Sequence, residues 1–447
     1  MPICPVDQCI TLSDDQYPQV NAETCIECGL CERVCSGDKL PMDMLKGKLN
    51  QSMTDNDNPL GGFHDAHLVH AVDTHTRQRG ASGGLVTQLL VRLLETGEID
   101  GAIVAGMDPR EPWKAVPMIA RTPEAMRQVA GSKYTVVPMV RAMQQVIKQG
   151  NVKGQTAKAE RFAMVGVACH VHSLRMMMAK LPSLRRKIRF VIGPLCKSSF
   201  DPEATTDLLR ANGIDRDQVS RFEFRGGTWP GVMRAKLKDG SYQPLHQSNF
   251  RDGAYNYLMS LYTQPRCHLC YDFGNELADL TVGDPWGRDN TTGHYVHEGG
   301  HTLALPRTAT GRWLIEFMQH DPAFAVGPAD PADVQFHQRA AAAKRNIVQL
   351  RIDARLKRGQ PVPKYDREMP RQNWRQRMAG RAFAATLWLG QSRRLRYWVL
   401  RLLLSRPATP LIWLRQVRKF GLRGCVRVNR MTRRDSANVQ GSPTVGT

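Results

Sequence analysis

Cys25, Cys28, Cys31 and Cys35 stand in the order C-x2-C-x2-C-x3-C. Three thiolates on so short a loop can each face one corner of an iron–sulfur cubane, and the fourth, displaced by one more residue, commonly ligates a neighbouring cluster. The spacing therefore predicts an electron-carrying protein with a second cluster to find. Cys267 and Cys270 form another C-x2-C far downstream, and Cys196 closes the apolar run from Val191 to Leu195. Together with Cys35 they make four, which predicts one [4Fe–4S] cluster on Cys35, Cys196, Cys267 and Cys270. The other then takes Cys25, Cys28 and Cys31, with Cys4, Cys9 or Cys169 as its fourth ligand. Zinc is the alternative for the N-terminal quartet, although zinc sites rarely place three cysteines at two successive two-residue gaps. For Cys267 and Cys270 alone, zinc or an inert pair stays open. Cys425 has no companion and reads as a free thiol.

A chain of 447 residues has room for two or three domains with their own cores, so the clusters are cofactors and not folding staples. Met1 to Ile10 lacks a basic start followed by an apolar stretch, and no run of about eighteen apolar residues marks a membrane span, which predicts a cytoplasmic protein. Eleven cysteines, an odd number grouped at ligand spacings, fit a reducing compartment. The net charge of +21 is unevenly spread: Arg371 to Arg434 holds 17 basic residues and no acidic one, leaving about +5 for the first 370 residues.

Residues 1–60 read as an iron–sulfur module, with a polar linker over 50–62. Leu85, Val86, Leu89, Leu90, Leu93 and Leu94 paint one face of a helix that Gly97 closes. Ala102–Ala105, Phe162–Val167 and Ile188–Ile192 read as buried strands, the second followed by a helix through Leu174. This alternation predicts an α/β body of mixed α and β elements, divided at 61–150 and 151–345, with a basic helical tail over 346–447.

The loop Gly80-Ala81-Ser82-Gly83-Gly84 at a helix start offers close backbone approach and unpaired N–H groups suited to a phosphate, or it simply makes a turn. Gly131-Ser132-Lys133-Tyr134 carries the same two readings. Cys169-His170 follows a strand end, where α/β sheets present their ligands; ligation, proton donation, a flavin contact and a plain buried pair are all open. Met176, Met177 and Met178 read as helix packing. Asp272, Asp279 and Asp284 either tune a cluster and its partner or cap turns.

These elements, with Gly193-Pro194-Leu195-Cys196 and the block from Cys267 to Gly287, resemble in order and combination the coenzyme F420 hydrogenase/dehydrogenase beta-subunit family, fused here to a ferredoxin-like N-terminal segment. The resemblance spans roughly residues 20–310. It implies an FAD and [4Fe–4S] oxidoreductase, with two clusters, passing electrons to or from a two-electron acceptor. That acceptor is coenzyme F420 or a small unsaturated or carbonyl substrate, and a ferredoxin or another redox protein is the electron partner. Gly80, Ser82, Gly83, Gly84, Thr87, Ser132, Lys133, Tyr134 and Gly166 would hold FAD, and His170, Lys133 and Tyr134 would donate a proton. The family's usual Gly-Thr-Pro-Cys-Gln stands here as Gly166-Val167-Ala168-Cys169-His170, which bears on the acceptor.

In the tail, Leu387, Leu395, Trp398, Leu402 and Leu403 share a helical face, with Arg393, Arg394 and Arg401 elsewhere. Such a helix suits an anionic membrane surface, which would place the protein peripherally at the inner face, or an acidic partner. It suits equally a helix packed on the body with a solvated arginine face. Nucleic acid is disfavoured, because no recognised motif accompanies the charge. Residues 436–447 read as disordered. Two further functional readings stand beside the enzyme: a non-catalytic electron-transfer subunit of a larger complex, and a zinc-stabilised nucleic-acid binder.

Overall fold

The apolar period that begins at Leu85 builds a helix, and its buried face decides what the helix covers. Leu85–Glu95 (α1) buries Leu85, Leu89, Leu90 and Leu93 against a sheet, and Gly97, in the left-handed region at φ +69°, ends it. The computed structural model describes residues 3–13, 16–49, 58–148, 160–249, 258–259, 261–287, 296–297, 299–367, 372–378, 380–381, 390 and 392–405.

In chain order the strands of the two larger sheets are His67–Ala71 (β1), Gly101–Met107 (β2), Ala115–Ala120 (β3), Phe162–Val165 (β4), Ile188–Pro194 (β5), Val219–Gly226 (β6), Val232–Leu237 (β7), Tyr242–Asn249 (β8), Leu280–Gly283 (β9), Thr302–Pro306 (β10) and Phe324–Pro328 (β11). Eight of them form one sheet in the order β11-β1-β10-β9-β5-β4-β2-β3, and β8-β7-β6 form a second, antiparallel sheet. The centre of the large sheet, β9-β5-β4-β2, is parallel, and its margins are antiparallel. The parallel strands are apolar on both faces because both are covered. Phe190 and Ile192 face one core with α1 and Ala309–His320 (α4), while Val191 and Met164 face another with Ala168–Met178 (α2). A third core joins the small sheet to Glu203–Ala211 (α3) and Arg393–Leu404 (α6). The expected α/β body is present, with the strand at 188 extending to Pro194.

The N-terminal segment is tied to the body by residues far along the chain. Lys39–Leu40 pairs in parallel with Lys364–Tyr365, and the Asp366 carboxylate accepts from the N–H groups of Met42 and Asp43 at 2.8 and 3.1 Å, capping the helix Met42–Lys48. Glu276, almost wholly buried, pairs with Lys46 of that helix, with Arg345 at 3.0 Å and with Arg367 at 3.2 Å. Arg345 lies on the 26-residue helix Pro331–Leu356 (α5), so the boundary expected at 345 falls inside one helix. Residues 346–367 thus pack with the body and its N-terminal segment, where a tail was expected. Of the expected linker, residues 50–57 lie outside the described residues, and Leu60 is buried with Phe273, Leu303 and Leu305.

Of the face expected along α6, Leu403 packs against the third core, and the other described members do not. Arg396, Tyr397, Leu400 and Leu404 turn inward, whereas Leu395, Trp398 and Leu402 are exposed; Leu387 lies outside the described residues. Arg396 decides the orientation, because its guanidinium pairs with Asp201 and Glu203 and stacks 4.5 Å from the centre of the Tyr262 ring. Residues 436–447, expected to be disordered, also fall outside the described residues. Among the described residues no helix is long and apolar enough to cross a membrane.

Candidate redox centre

Two of the central parallel strands deliver cysteines at their C-terminal ends, the edge at which such sheets present ligands. After β4 the chain turns through Gly166 and Val167 into α2, whose first turn carries Cys169. Cys196 stands two residues beyond β5. The short turn Pro265–Leu269 brings in Cys267, with Cys270 immediately after it. Cys169, Cys196, Cys267 and Cys270 line one small cavity, whose wall also includes Lys344 of α5 and Tyr365.

Burial governs the electrostatics of this cavity. Burial, reinforced by Cys267, pushes the Cys169 thiol up to about 12, and burial likewise raises Cys196 and Cys267. Lys344 extends its ammonium to the carbonyl oxygens of Cys196 and Asp272 at 2.8 and 3.0 Å. Burial opposes its charge, yet Cys270, Cys196 and Cys267 hold its pKa above the ordinary lysine value. His172 and Asp272 also line the cavity, their side chains 2.6 Å apart; against the effect of burial, the hydrogen bond and charge of His172 keep the carboxyl well below the usual range.

Among the described residues no three or more His, Cys, Asp or Glu side chains gather closely enough to hold a single metal ion. A cubane makes a different demand, since it offers one iron at each of four corners and spreads its thiolates around itself. Four half-buried thiols around one cavity, with two lysines and an arginine in its wall, fit that demand: a four-thiolate cluster is anionic and needs nearby cations.

The N-terminal cysteines lie on one loop, with Cys28 exposed and Cys25, Cys31 and Cys35 half-buried. Cys9 is buried, its thiol pushed up by burial and by the neighbouring Cys25 and Cys4. Spacing grouped Cys35 with Cys196, Cys267 and Cys270, but it is Cys169 and Ser36 that line the cavity beside them. The Cys35 Sγ lies 4.0 Å from Arg266 Nη1, at the cavity's edge.

The glycine loop is built by close backbone contact. Gly83 and Gly84 both have positive φ, and a Cβ on Gly84 would sit 2.6 Å from the Thr76 carbonyl oxygen, so no other residue fits there without a shift. Ser82 donates its hydroxyl to the His301 carbonyl and accepts one from Thr302, while Ala71 N–H donates to Gly83 O at 2.8 Å. Thr87 is buried on α1. Lys133 donates to the carbonyls of Val129, Ala130 and Gly131, and burial, with Arg221 and Arg79 beside it, lowers its ammonium to about 7. Arg79, the residue before Gly80, has a buried Nε without a partner. Arg79 and Arg221 thus flank Lys133 at these loops, Arg221 pairing in turn with Glu223 at 3.1 Å, and this cationic group fits a phosphate-bearing cofactor. Tyr134 bonds Ser132 and Arg225, and Arg225 and Trp229 both donate to the Asp284 carboxylate at 2.8 Å. Gly166 and His170 stand apart from the glycine loop, next to Cys169: Asn275 donates to Gly166 O at 2.9 Å, and the His170 ring bonds the Val137 backbone. Burial lowers His170 to about 4, so its imidazole is neutral at pH 7.

Comparison with known proteins places the arrangement. Residues 66–144 match the N-terminal model of the coenzyme F420 hydrogenase/dehydrogenase beta subunit, and residues 159–332 match its C-terminal model. The chain belongs to this family. It is 24% identical over 312 residues to the coenzyme F420 hydrogenase subunit beta of Methanothermobacter thermautotrophicus, covering 68% of this chain and 99% of that one. It is 27% identical over 222 residues to the coenzyme F420-dependent sulfite reductase of Methanocaldococcus jannaschii, covering 46% of this chain and 31% of that protein. Identity to the chloroplastic 7-hydroxymethyl chlorophyll a reductase of Oryza sativa subsp. japonica is 27% over 200 residues, covering 45% of this chain and 39% of that one. A chain in the solved F420-reducing [NiFe] hydrogenase complex from Methanosarcina barkeri has the same fold, with a TM-score of 0.53, 20% identity, and coverage of 68% of this chain and 97% of that one.

As a member of the beta-subunit family the chain is a redox protein, and several of the groups around its centre are invisible to motif reading. Lys344 sits on a helix rich in Ala and Arg, Tyr365 arrives from the strap after that helix, and Arg266 merely precedes a cysteine. The pairing of His172 with Asp272 had a partial signal, a polar residue in the apolar stretch of α2, but its partner is 100 residues away. The three aspartates downstream of Cys270 are engaged within the fold: Asp272 hydrogen-bonds His172, and Asp279 and Asp284 pair with Arg175 and Arg225.

Proposed function

We propose that the protein is an iron–sulfur flavoprotein oxidoreductase that moves electrons between two [4Fe–4S] clusters and a two-electron acceptor, with FAD at the glycine loop. The observation that carries the reading is the convergence of Cys169, Cys196, Cys267 and Cys270 on one cation-walled cavity. Those four thiols hold one cluster, which leaves Cys35 to complete the loop set with Cys25, Cys28 and Cys31. When bound, a flavin supplies the exchange between one-electron and two-electron chemistry.

The chain's own residues do the rest. Ser82, Gly83 and Gly84 position the cofactor by backbone, with Gly80, Thr87 and Ser132 around them, and Arg79, Arg221 and Lys133 neutralise its phosphates. Gly166 and His170 lie beside Cys169, with the His170 ring on the Val137 backbone, and Tyr134 is the proton donor at the acceptor, because His170 is neutral and Lys133 serves the phosphates. The names of the relatives span a hydrogenase, a sulfite reductase and a chlorophyll reductase, so the acceptor is coenzyme F420 or a small unsaturated or carbonyl compound. A ferredoxin-type carrier serves the N-terminal loop. The word subunit in the relatives' names favours a second reading, a relay inside a larger complex; acceptor reduction by the isolated chain excludes it.

Serine substitution tests the ligand sets. By electron paramagnetic resonance and iron content, Cys35→Ser removes the same cluster as Cys28→Ser, and Cys169→Ser the same cluster as Cys196→Ser. Loss of the Cys196 cluster in Cys35→Ser, with Cys169→Ser intact, would restore the grouping predicted from spacing.

A further inference from the structure

Arg266 lies between the two cysteine sets. One arm of its guanidinium donates to Ser36 Oγ at 2.7 Å and the other lies 4.0 Å from Cys35 Sγ, while Ser36 in turn donates to the Cys169 carbonyl at 3.3 Å. The N-terminal loop comes so near that a Cβ on Gly37 would stand 2.8 Å from the guanidinium carbon. The same side chain lines the four-thiol cavity. Among the described residues no carboxylate pairs with it, and the groups that bear on its charge are Cys169, Cys35, Cys270 and Tyr365. Its guanidinium is always charged, and although the residue as a whole is exposed, its fork is turned toward the two cysteine sets. Here the available negative charge is thiolate, and it lies on both sides.

We propose that Arg266 is a positioning residue that couples the two clusters: it holds the N-terminal loop against the cavity and, by its shared positive charge, raises the reduction potential of both. The proposal rests on the two-cluster reading above. The step it serves moves one electron between the sets, supplied or removed by an external one-electron carrier; no bond forms or breaks and no proton moves. A positive charge beside a cluster stabilises its reduced, more negative state, and N–H donation to a ligand sulfur acts in the same direction. Arginine suits the place because its planar fork reaches Cys35 and Ser36 together, which a lysine cannot do.

The test is an anaerobic redox titration of the full-length holoprotein, followed by electron paramagnetic resonance, on the wild type, Arg266→Gln and Arg266→Lys, with iron counted in each. The fully reduced wild type is expected to show a spectrum broadened by interaction between two nearby clusters. Arg266→Gln is expected to keep its iron and to shift both midpoints to more negative values, and Arg266→Lys to recover most of both shifts. An unshifted midpoint at either cluster in an iron-replete Arg266→Gln protein overturns the proposal, as do two magnetically isolated signals in the wild type. If Arg266→Gln loses iron, the wild-type spectrum and Arg266→Lys still decide, since retained charge must hold both midpoints close to the wild-type values. Four irons in the wild type would instead sink the two-cluster reading, a failure distinct from that of Arg266.

Discussion

The cysteine loop at the N-terminus and the four-thiol cavity hold equal numbers of thiols and are built in opposite ways. The loop takes its four from eleven consecutive residues, one of them exposed, so its thiols are grouped by local spacing alone. The cavity draws on the ends of two parallel strands and a distant turn, and it exists only once the sheet, α5 and the strap at 362–367 have assembled. A local site survives changes elsewhere in the chain, whereas an assembled one is part of the fold's stability.

The sharpest way to break that contrast is Glu276→Gln. It leaves Lys46, Arg345 and Arg367 buried around a neutral amide, which is expected to cost about 3–5 kcal/mol in denaturant unfolding and to loosen the N-terminal segment. An unchanged unfolding midpoint would mean that this segment is not tied to the body through Glu276. Next in size, Cys28→Ser and Cys196→Ser should each lose about half of the iron, but only the second should also lower the thermal midpoint, because it leaves Lys344 facing an empty cavity. Equal midpoints in the two variants would erase the distinction between a local and an assembled site.

Lys344→Met should make the potential of the cavity cluster more negative by tens of millivolts, where about 60 mV in a one-electron couple corresponds to about 1.4 kcal/mol, and leave the loop cluster unmoved. A shift at the loop cluster instead would place Lys344 wrongly. The smallest effect concerns pH. Lys133 is neutral above about 7 in the free protein, and an anionic cofactor would raise that value, so binding at pH 8 takes up a proton. Flavin affinity should therefore weaken as pH rises from 7 to 9, by up to tenfold per unit, and Lys133→Met should flatten the profile; a flat wild-type profile removes Lys133 from the phosphate site.

How much of this was legible beforehand depends on distance along the chain. α1 and the strands at 101, 162 and 188 were readable because their apolar periods are local, and the loop cysteines because their spacing is. The partnership of Cys169 with Cys196, Cys267 and Cys270 was not, since it follows from strand order and not from spacing. Lys344, Arg266 and Tyr365 carry no motif, and only the fold brings them to the cavity. The apolar face of α6 was legible, and Leu395, Trp398 and Leu402 on it are exposed; the face that packs was not, because it depends on ion pairs of Arg396 with the distant Asp201 and Glu203.

The central claim is best tested by an anaerobic absorbance spectrum with iron, sulfide and flavin counted per chain. About eight irons, matching sulfide and one FAD are the predicted result. About four irons without flavin would contradict the account, leaving a single-cluster relay whose glycine loop is only a turn.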